Sequence, residues 1–177
     1  MDIAIRQEHP NDYMETENVV KDAFLDAENS DHDEHELVNR LRKSNAFVPE
    51  LSLVAIDQKL NKIVGHILFT KVKIKGKQEH DSLALAPVSV LPDYQKNGIG
   101  NQLCLEGLRL SKAHGYKSVI VLGHPEYYPK FGFEKASDYE IYPPFDVPDE
   151  AFMVLELEEG ALTNVSGVVE YSNAFNG

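Results

Sequence analysis

The chain has 177 residues, 42% of them hydrophobic and 26% charged, the balance of one soluble globular domain rather than of a disordered or fibrous chain. A formal net charge of −12 sets most of the surface against a phosphate backbone, which argues against nucleic acid and favours a cationic acceptor such as an amine. A single cysteine, Cys104, excludes an internal disulfide and a cysteine-rich zinc site, and no stretch has the length of a signal-peptide core or a bilayer span, so the expectation is a cytoplasmic protein with no membrane partner.

Ile3 to Arg6 alternates like a short strand, and Asn11 and Asp12 offer caps for a helix carrying Val19, Val20, Ala23, Phe24 and Leu25. The acidic stretch from Asp26 to Glu36 reads as a mobile loop, and ELVNRLRKS after it puts Leu37, Val38 and Leu41 on one helical face. LSLVAID and KIVGHILFTKVKIKG are strand-like and separated by a polar turn at Gln58 to Lys62, an antiparallel hairpin that SLALAPVSVLP extends. Residues 99–114, plotted at about 100° per residue, gather Ile99, Leu103, Cys104, Gly107, Leu108 and Leu110 on one half of a helix and leave only Leu105 out of place. KSVIVLG then reads as a buried strand, parallel to the one at LAPVSVL and reached by a right-handed crossover. Beyond HPEYYPKFGFEKA, a loop with Pro143, Pro144 and Pro148 precedes a strand at AFMVLELE and a polar tail with the apolar cluster GVVEY. With no repeat, low-complexity tract or linker, the expected fold is α/β (α+β) over residues 1–177 as a single domain. Its mixed central sheet is antiparallel at first and parallel in the middle, with helices on its faces.

Between the strand and the long helix stands PDYQKNGIG. The Rossmann fingerprint fails, because Leu103 occupies the place of the third glycine, and G-x-x-x-x-G-K-[ST] is absent. What remains is Q-x-x-G-x-G opening an amphipathic helix. Gly98 and Gly100 uncover the amides from about Gln95 to Asn101, and the helix dipole adds about half a positive charge at its N-terminus, a place where a pyrophosphate fits.

VSVLPDYQKNGIG, the helix behind it, a parallel strand and then YPKFGF together resemble the GNAT superfamily of N-acetyltransferases, over most of the chain. GHPEYYPKFGF, AFMVLELEEGAL and the closing GVVEYSNAF are more narrowly similar to the YhbS-like bacterial acetyltransferases. The resemblance implies acetyl-CoA as cosubstrate with no metal. In that scheme the acceptor amine attacks the thioester directly, through a tetrahedral intermediate, and coenzyme A leaves as a thiol. It further implies a bulge at Val88-Ser89-Val90 that splays this strand from its parallel neighbour, so that free backbone groups take the pantetheine arm and an N–H near Val90 faces the thioester oxygen. Gln95, Lys96, Asn97, Gly98, Ile99, Gly100 and Asn101 form the pyrophosphate loop.

Tyr128, four residues before Gly132, stands where the family places the tyrosine that protonates the departing thiolate, a phenol near pKa 10 facing a thiol near 8.5. Tyr127 is read as aromatic packing. Many relatives carry an asparagine where this chain has Gly123-His124-Pro125, so His124 either replaces it as a cofactor contact or caps the helix. Ala84 occupies the site where some relatives place a glutamate base, which leaves the base unassigned among Glu36, His80, Asp81 and a water relay. His32 to Glu36 lacks metal-ligand spacing and reads as a solvated acidic loop and acceptor lid; Cys104, His66 and His114 read as structural. The acceptor is a small-molecule or peptide amine, a homodimer is left open, and the rival function is an acyl-CoA sensor that binds without turnover.

Overall fold

The computed structural model describes residues 1–28 and 30–176; Asn29, inside the acidic stretch, and Gly177 lie outside the described residues. Strand β1 (Ile3–Gln7) leads to helices α1 (Tyr13–Phe24) and α2 (Glu34–Arg42), and then to the long strands β2 (Phe47–Asp57), β3 (Lys62–Lys75) and β4 (Glu79–Val90). Helix α3 (Ile99–Ala113) connects β4 to β5 (Ser118–Leu122), and the short strands β6 (Glu134–Lys135), β7 (Ile141–Tyr142), β8 (Phe152–Glu156) and β9 (Gly167–Glu170) complete the chain. The sheet runs β1-β2-β3-β4-β5-β8-β6, with β9 taking the edge of β3 beyond the reach of β2, and β7 pairing β9. The expected mixed sheet with helices on both faces is present.

Strand β2 begins before LSLVAID, at Phe47, despite Pro49. The register between β2 and β3 is interrupted between Phe47 and Ser52, so the missing N–H of Pro49 removes no ladder bond. The cluster GVVEY, left unassigned by its sequence, forms β9, of which Val168, Val169 and Glu170 pair Lys75, Ile74 and Lys73 of β3.

Alternation along β3 divides the core. Ile67 and Phe69 face α3, where Ile99, Leu103, Cys104 and Leu108 bury the apolar half of that helix. Leu68 faces the other way, under Val20 of α1 and Val38 and Leu41 of α2. Leu105, out of place on the helical plot, is 58% exposed. Among the described residues no helix is long and apolar enough to cross a membrane.

Strands β4 and β5 are parallel, but they pair only at Leu83 with Val119 and Ala84 with Ile120. Opposite β3, Leu85 faces Phe69 while Val88 faces Ile67, so β4 takes three steps where β3 takes two. The bulge therefore sits at Ala86 and Pro87, upstream of the expected Val88-Ser89-Val90. Proline supplies no N–H to the ladder, and the extra residue falls where that loss is cheapest. Beyond Ala84 the edge of β4 that faces β5 is unpaired.

Candidate active site

Strand β4 runs directly into the glycine loop. Pro92 to Tyr94 forms a single 3-10 turn, and the Tyr94 hydroxyl donates to Asp57 Oδ2 at 2.8 Å, tying the loop to the hairpin of β2 and β3. Gln95 Nε2 donates to the Val90 carbonyl at 3.1 Å, while Asn97 Nδ2 donates to the carbonyls of Tyr94 at 3.2 Å and Gln95 at 3.1 Å. These side-chain amides occupy carbonyl oxygens of the loop, which leaves N–H groups as its dominant polarity. The amides of Tyr94 and Gln95 are exceptions, since they donate to the carbonyls of Leu91 at 2.8 Å and Pro92 at 3.3 Å.

Gly98 has φ 79°, a left-handed conformation that glycine adopts without steric cost. The first bond of α3 runs from Gln102 N to Gly98 O at 3.0 Å, so Ile99, Gly100 and Asn101 keep the unpaired amides of a helix N-terminus. A Cβ built on Gly100 would stand 3.4 Å from the Tyr127 hydroxyl and 4.0 Å from Val90 Cγ2. It would point into a cleft of about 400 Å³ enclosed by the loop, the first turn of α3, Tyr127 and Lys130.

Tyr127 therefore does more than pack. Its hydroxyl donates to Asn101 Oδ1 at 2.6 Å, Lys130 Nζ donates to the same oxygen at 3.2 Å, and the Lys130 ammonium lies 3.9 Å from the centre of the Tyr127 ring. Tyr128 meets Tyr127 edge-on at 5.0 Å and Phe133 at 5.8 Å, and it is 8% exposed. Gly123 makes room for it, since a Cβ there would come within 2.4 Å of the Tyr128 ring. Burial raises the Tyr128 hydroxyl well above the usual phenol range, with smaller contributions from Cys104 and Tyr127. Burial likewise pushes Tyr127 up to about 12 and the Cys104 thiol up to about 11, against weaker opposing effects of Tyr127 and Lys130. A buried thiol so raised is packing, as its place on α3 implies.

A second cavity, about 980 Å³, opens where β4 and β5 part. Residues 84–86 and 120–122 form one wall, with Asp31 from the acidic stretch, Pro144 and Phe145 from the proline-rich loop, and parts of residues 168–176 around it. The acidic loop, read from its sequence as an acceptor lid, thus meets the proline-rich loop on one cavity.

The family model described as Acetyltransferase (GNAT) domain matches residues 49–135. The protein named uncharacterized N-acetyltransferase YhbS, from Escherichia coli strain K12, is 34% identical over 155 residues, covering 88% of this chain and 90% of that protein. The crystal structure of the Escherichia coli GNAT family N-acetyltransferase YhbS in complex with CoA superposes with a TM-score of 0.89 at 31% identity, over 99% of this chain and 92% of that one. A GNAT family acetyltransferase from Brucella melitensis, crystallised with acetyl-CoA, gives a TM-score of 0.80 at 33% identity, over 98% of each chain. The chain belongs to the GNAT family of N-acetyltransferases.

Of the residues that the GNAT resemblance picks out, Val90, Gln95, Lys96, Gly98, Ile99, Gly100 and Asn101 all line the 400 Å³ cleft. Asn97 braces the loop from within. Val88 and Ser89 lie on β4 past the bulge, Ser89 buried and Val88 half-buried. His124 is exposed, and its carbonyl accepts from the amides of Tyr127 at 3.1 Å and Tyr128 at 3.4 Å. Glu36, His80 and Asp81 line neither cavity. Asp81 pairs with Lys73 instead. Tyr127 and Lys130 were missed as contacts. The available signal was YYPKF itself, a lysine two residues after the second tyrosine. Among the described residues no group of three or more His, Cys, Asp or Glu side chains is placed to hold a metal ion.

Proposed function

We propose that this GNAT protein transfers an acetyl group from acetyl-CoA to a primary amine on a small molecule or peptide, with residues 1–177 working as one unit. One observation carries the reading: the free edge of β4 beyond Ala84 ends at a cleft lined by the glycine loop, Lys96 and Lys130. A donor that joins an amide-bearing arm to a pyrophosphate fits that sequence of groups. The arm adds to the strand edge, and the pyrophosphate meets the amides of Ile99 to Asn101 with Lys96 and Lys130 beside them. The CoA and acetyl-CoA complexes of the two GNAT relatives support the same donor.

When bound, acetyl-CoA supplies an acetyl thioester, whose reaction with an amine forms a C–N bond, breaks the C–S bond and moves one proton from nitrogen to sulfur. This chain's part is to stabilise charge and move that proton. Unpaired N–H groups of β4 past the bulge are donors for negative charge on the carbonyl oxygen. The Tyr128 hydroxyl donates its proton to the sulfur, and the proton released by the amine restores it through solvent. Burial keeps Tyr128 protonated throughout the working pH range, so the proton is present, although the same shift makes the phenol a weaker acid than an exposed tyrosine.

Two variants test this. Gly100→Asp puts a carboxylate into the cleft and should abolish coenzyme A binding in calorimetric titration; affinity equal to the parent would remove the loop from the site. Tyr128→Phe should lower kcat about 10²-fold while leaving acetyl-CoA affinity intact. Unchanged kcat would take proton donation away from Tyr128, and coenzyme A binding with no turnover of any amine by the parent protein would make it a sensor.

A further inference from the structure

We propose that the acceptor is an arylalkylamine, a primary amine carried on an aromatic body, and that it occupies the 980 Å³ cavity between β4 and β5. The proposal rests on the acetyl-transfer reading and names the substrate class of that site. The volume lies at the upper end for small-ligand sites and has room for the end of the donor together with a compact acceptor.

The wall gathers exposed apolar side chains. Of nine large hydrophobic side chains exposed among the described residues, three line this one cavity: Leu122 at 44%, Phe145 at 42% and Val168 at 46%. Such clustering on a chain with a net charge of −12 marks a binding surface rather than scattered surface residues. Three rings from two segments, the proline-rich loop and the C-terminal stretch, stand in a row. Tyr171 lies 5.8 Å from Phe145 on one side and 5.0 Å from Phe175 on the other. Burial raises the Tyr171 hydroxyl above its ordinary range, so that ring stays neutral.

The charges on the wall leave room for one cation. Lys75 is held by Glu170 at 2.9 Å and by Glu79 at 3.4 Å. Asp31 is then the one carboxylate of the cavity without an ion pair among the described residues. A single ammonium finds a partner there, and the aromatic faces add cation–π attraction for the same charge and contact area for the body that carries it. A polyamine would bring further charges with no further carboxylate to meet them, and an amino sugar would strip water from hydroxyls against a largely hydrocarbon wall.

The test uses the purified full-length chain. Calorimetry first establishes coenzyme A binding. Thiol release is then followed with 2-phenylethylamine, isoamylamine, spermidine, glucosamine and a short peptide with a free N-terminus, and binding of 2-phenylethylamine to the coenzyme A-saturated protein is titrated separately. The expected result is that kcat/KM for 2-phenylethylamine exceeds that for spermidine, glucosamine and the peptide by about 10- to 100-fold. Asp31→Asn should raise KM for 2-phenylethylamine about tenfold with coenzyme A affinity unchanged, and Phe145→Leu should narrow the preference for 2-phenylethylamine over isoamylamine. Preference for spermidine, glucosamine or the peptide overturns the acceptor class and leaves the donor reading standing, as does intact coenzyme A binding with 2-phenylethylamine neither bound nor acetylated. Absence of coenzyme A binding overturns both.

Discussion

Around the glycine-loop cleft, charge is decided by a few side chains against the trend of the whole molecule. Lys96 and Lys130 are the two cations on a cleft in a chain whose net charge is −12. Lys130 is held over Tyr127 and bonded to Asn101, so its ammonium is already positioned for an anion and little rotamer freedom remains to be lost. Lys130→Ala should weaken coenzyme A binding about 5- to 10-fold at low ionic strength and by less at physiological salt, because an exposed charge is screened. Calorimetric titration at two salt concentrations reads this directly. A salt-independent loss would point to packing on Tyr127 rather than charge. Tyr127→Phe keeps the ring under Lys130 and removes only the bond to Asn101, so its smaller effect separates the two contributions.

At the scale of elements, α3 approaches the sheet through Gly107. A Cβ there would come within 2.2 Å of Phe69 Cε1 and 2.7 Å of its Cζ, and Phe69 is wholly buried, so the ring has nowhere to turn. Alanine is favoured over glycine in a helix by about 1 kcal/mol, yet overpacking a rigid core costs about 1–3 kcal/mol. Gly107→Ala should therefore lower stability in urea denaturation, with the variant still binding coenzyme A where folded; a gain in stability would mean that α3 can shift outward. That glycine was legible only as one member of an apolar face. The period of α3, the long hairpin and the parallel crossover all follow from local pattern, as do the loop residues of the cleft. The bulge did not, because Pro87 marks a break in pairing that only the register against β3 locates. Strand β9 did not either, three of its residues becoming a strand through β3. The aromatic wall of the cavity between β4 and β5 gathers Phe145, Tyr171 and Phe175 from segments with no shared period, and only tertiary packing brings them together.

Across the whole molecule, one buried polar cluster joins the first strands to both N-terminal helices, and it couples stability to pH. Glu8, after β1, accepts from the Ser52 hydroxyl of β2 at 2.7 Å and from the Arg42 guanidinium of α2 at 2.7 Å. Arg42 also donates to Glu17 of α1 at 3.1 Å. With the Ser52 proton directed at Glu8, its oxygen accepts from His66 Nε2–H across 3.1 Å, leaving His66 Nδ1 with no protein partner. Burial therefore holds His66 neutral and lowers its pKa to about 4; the attraction of Glu8 opposes this and Arg42 adds to it. The unfolded chain binds a proton at this residue below about pH 6.5, whereas the native state does not until about pH 4. Stability is thus complete above pH 6.5 and falls as pH drops through the interval between the two values, by about 3 kcal/mol in all. Glu8, despite its burial, is held below the ordinary carboxylate range by Arg42 and, once the imidazole is protonated, by His66, so its share is complete above that range and is lost as pH falls through it, in the same direction. Urea denaturation at pH 7.5 and pH 5 should show a loss of about 2 kcal/mol in the parent chain. His66→Gln, less stable at pH 7.5 because it disturbs the bond to Ser52, should show little further loss on acidification. An equal pH slope in both proteins would shift the origin of the acid sensitivity away from His66 and toward the carboxylates of the surface.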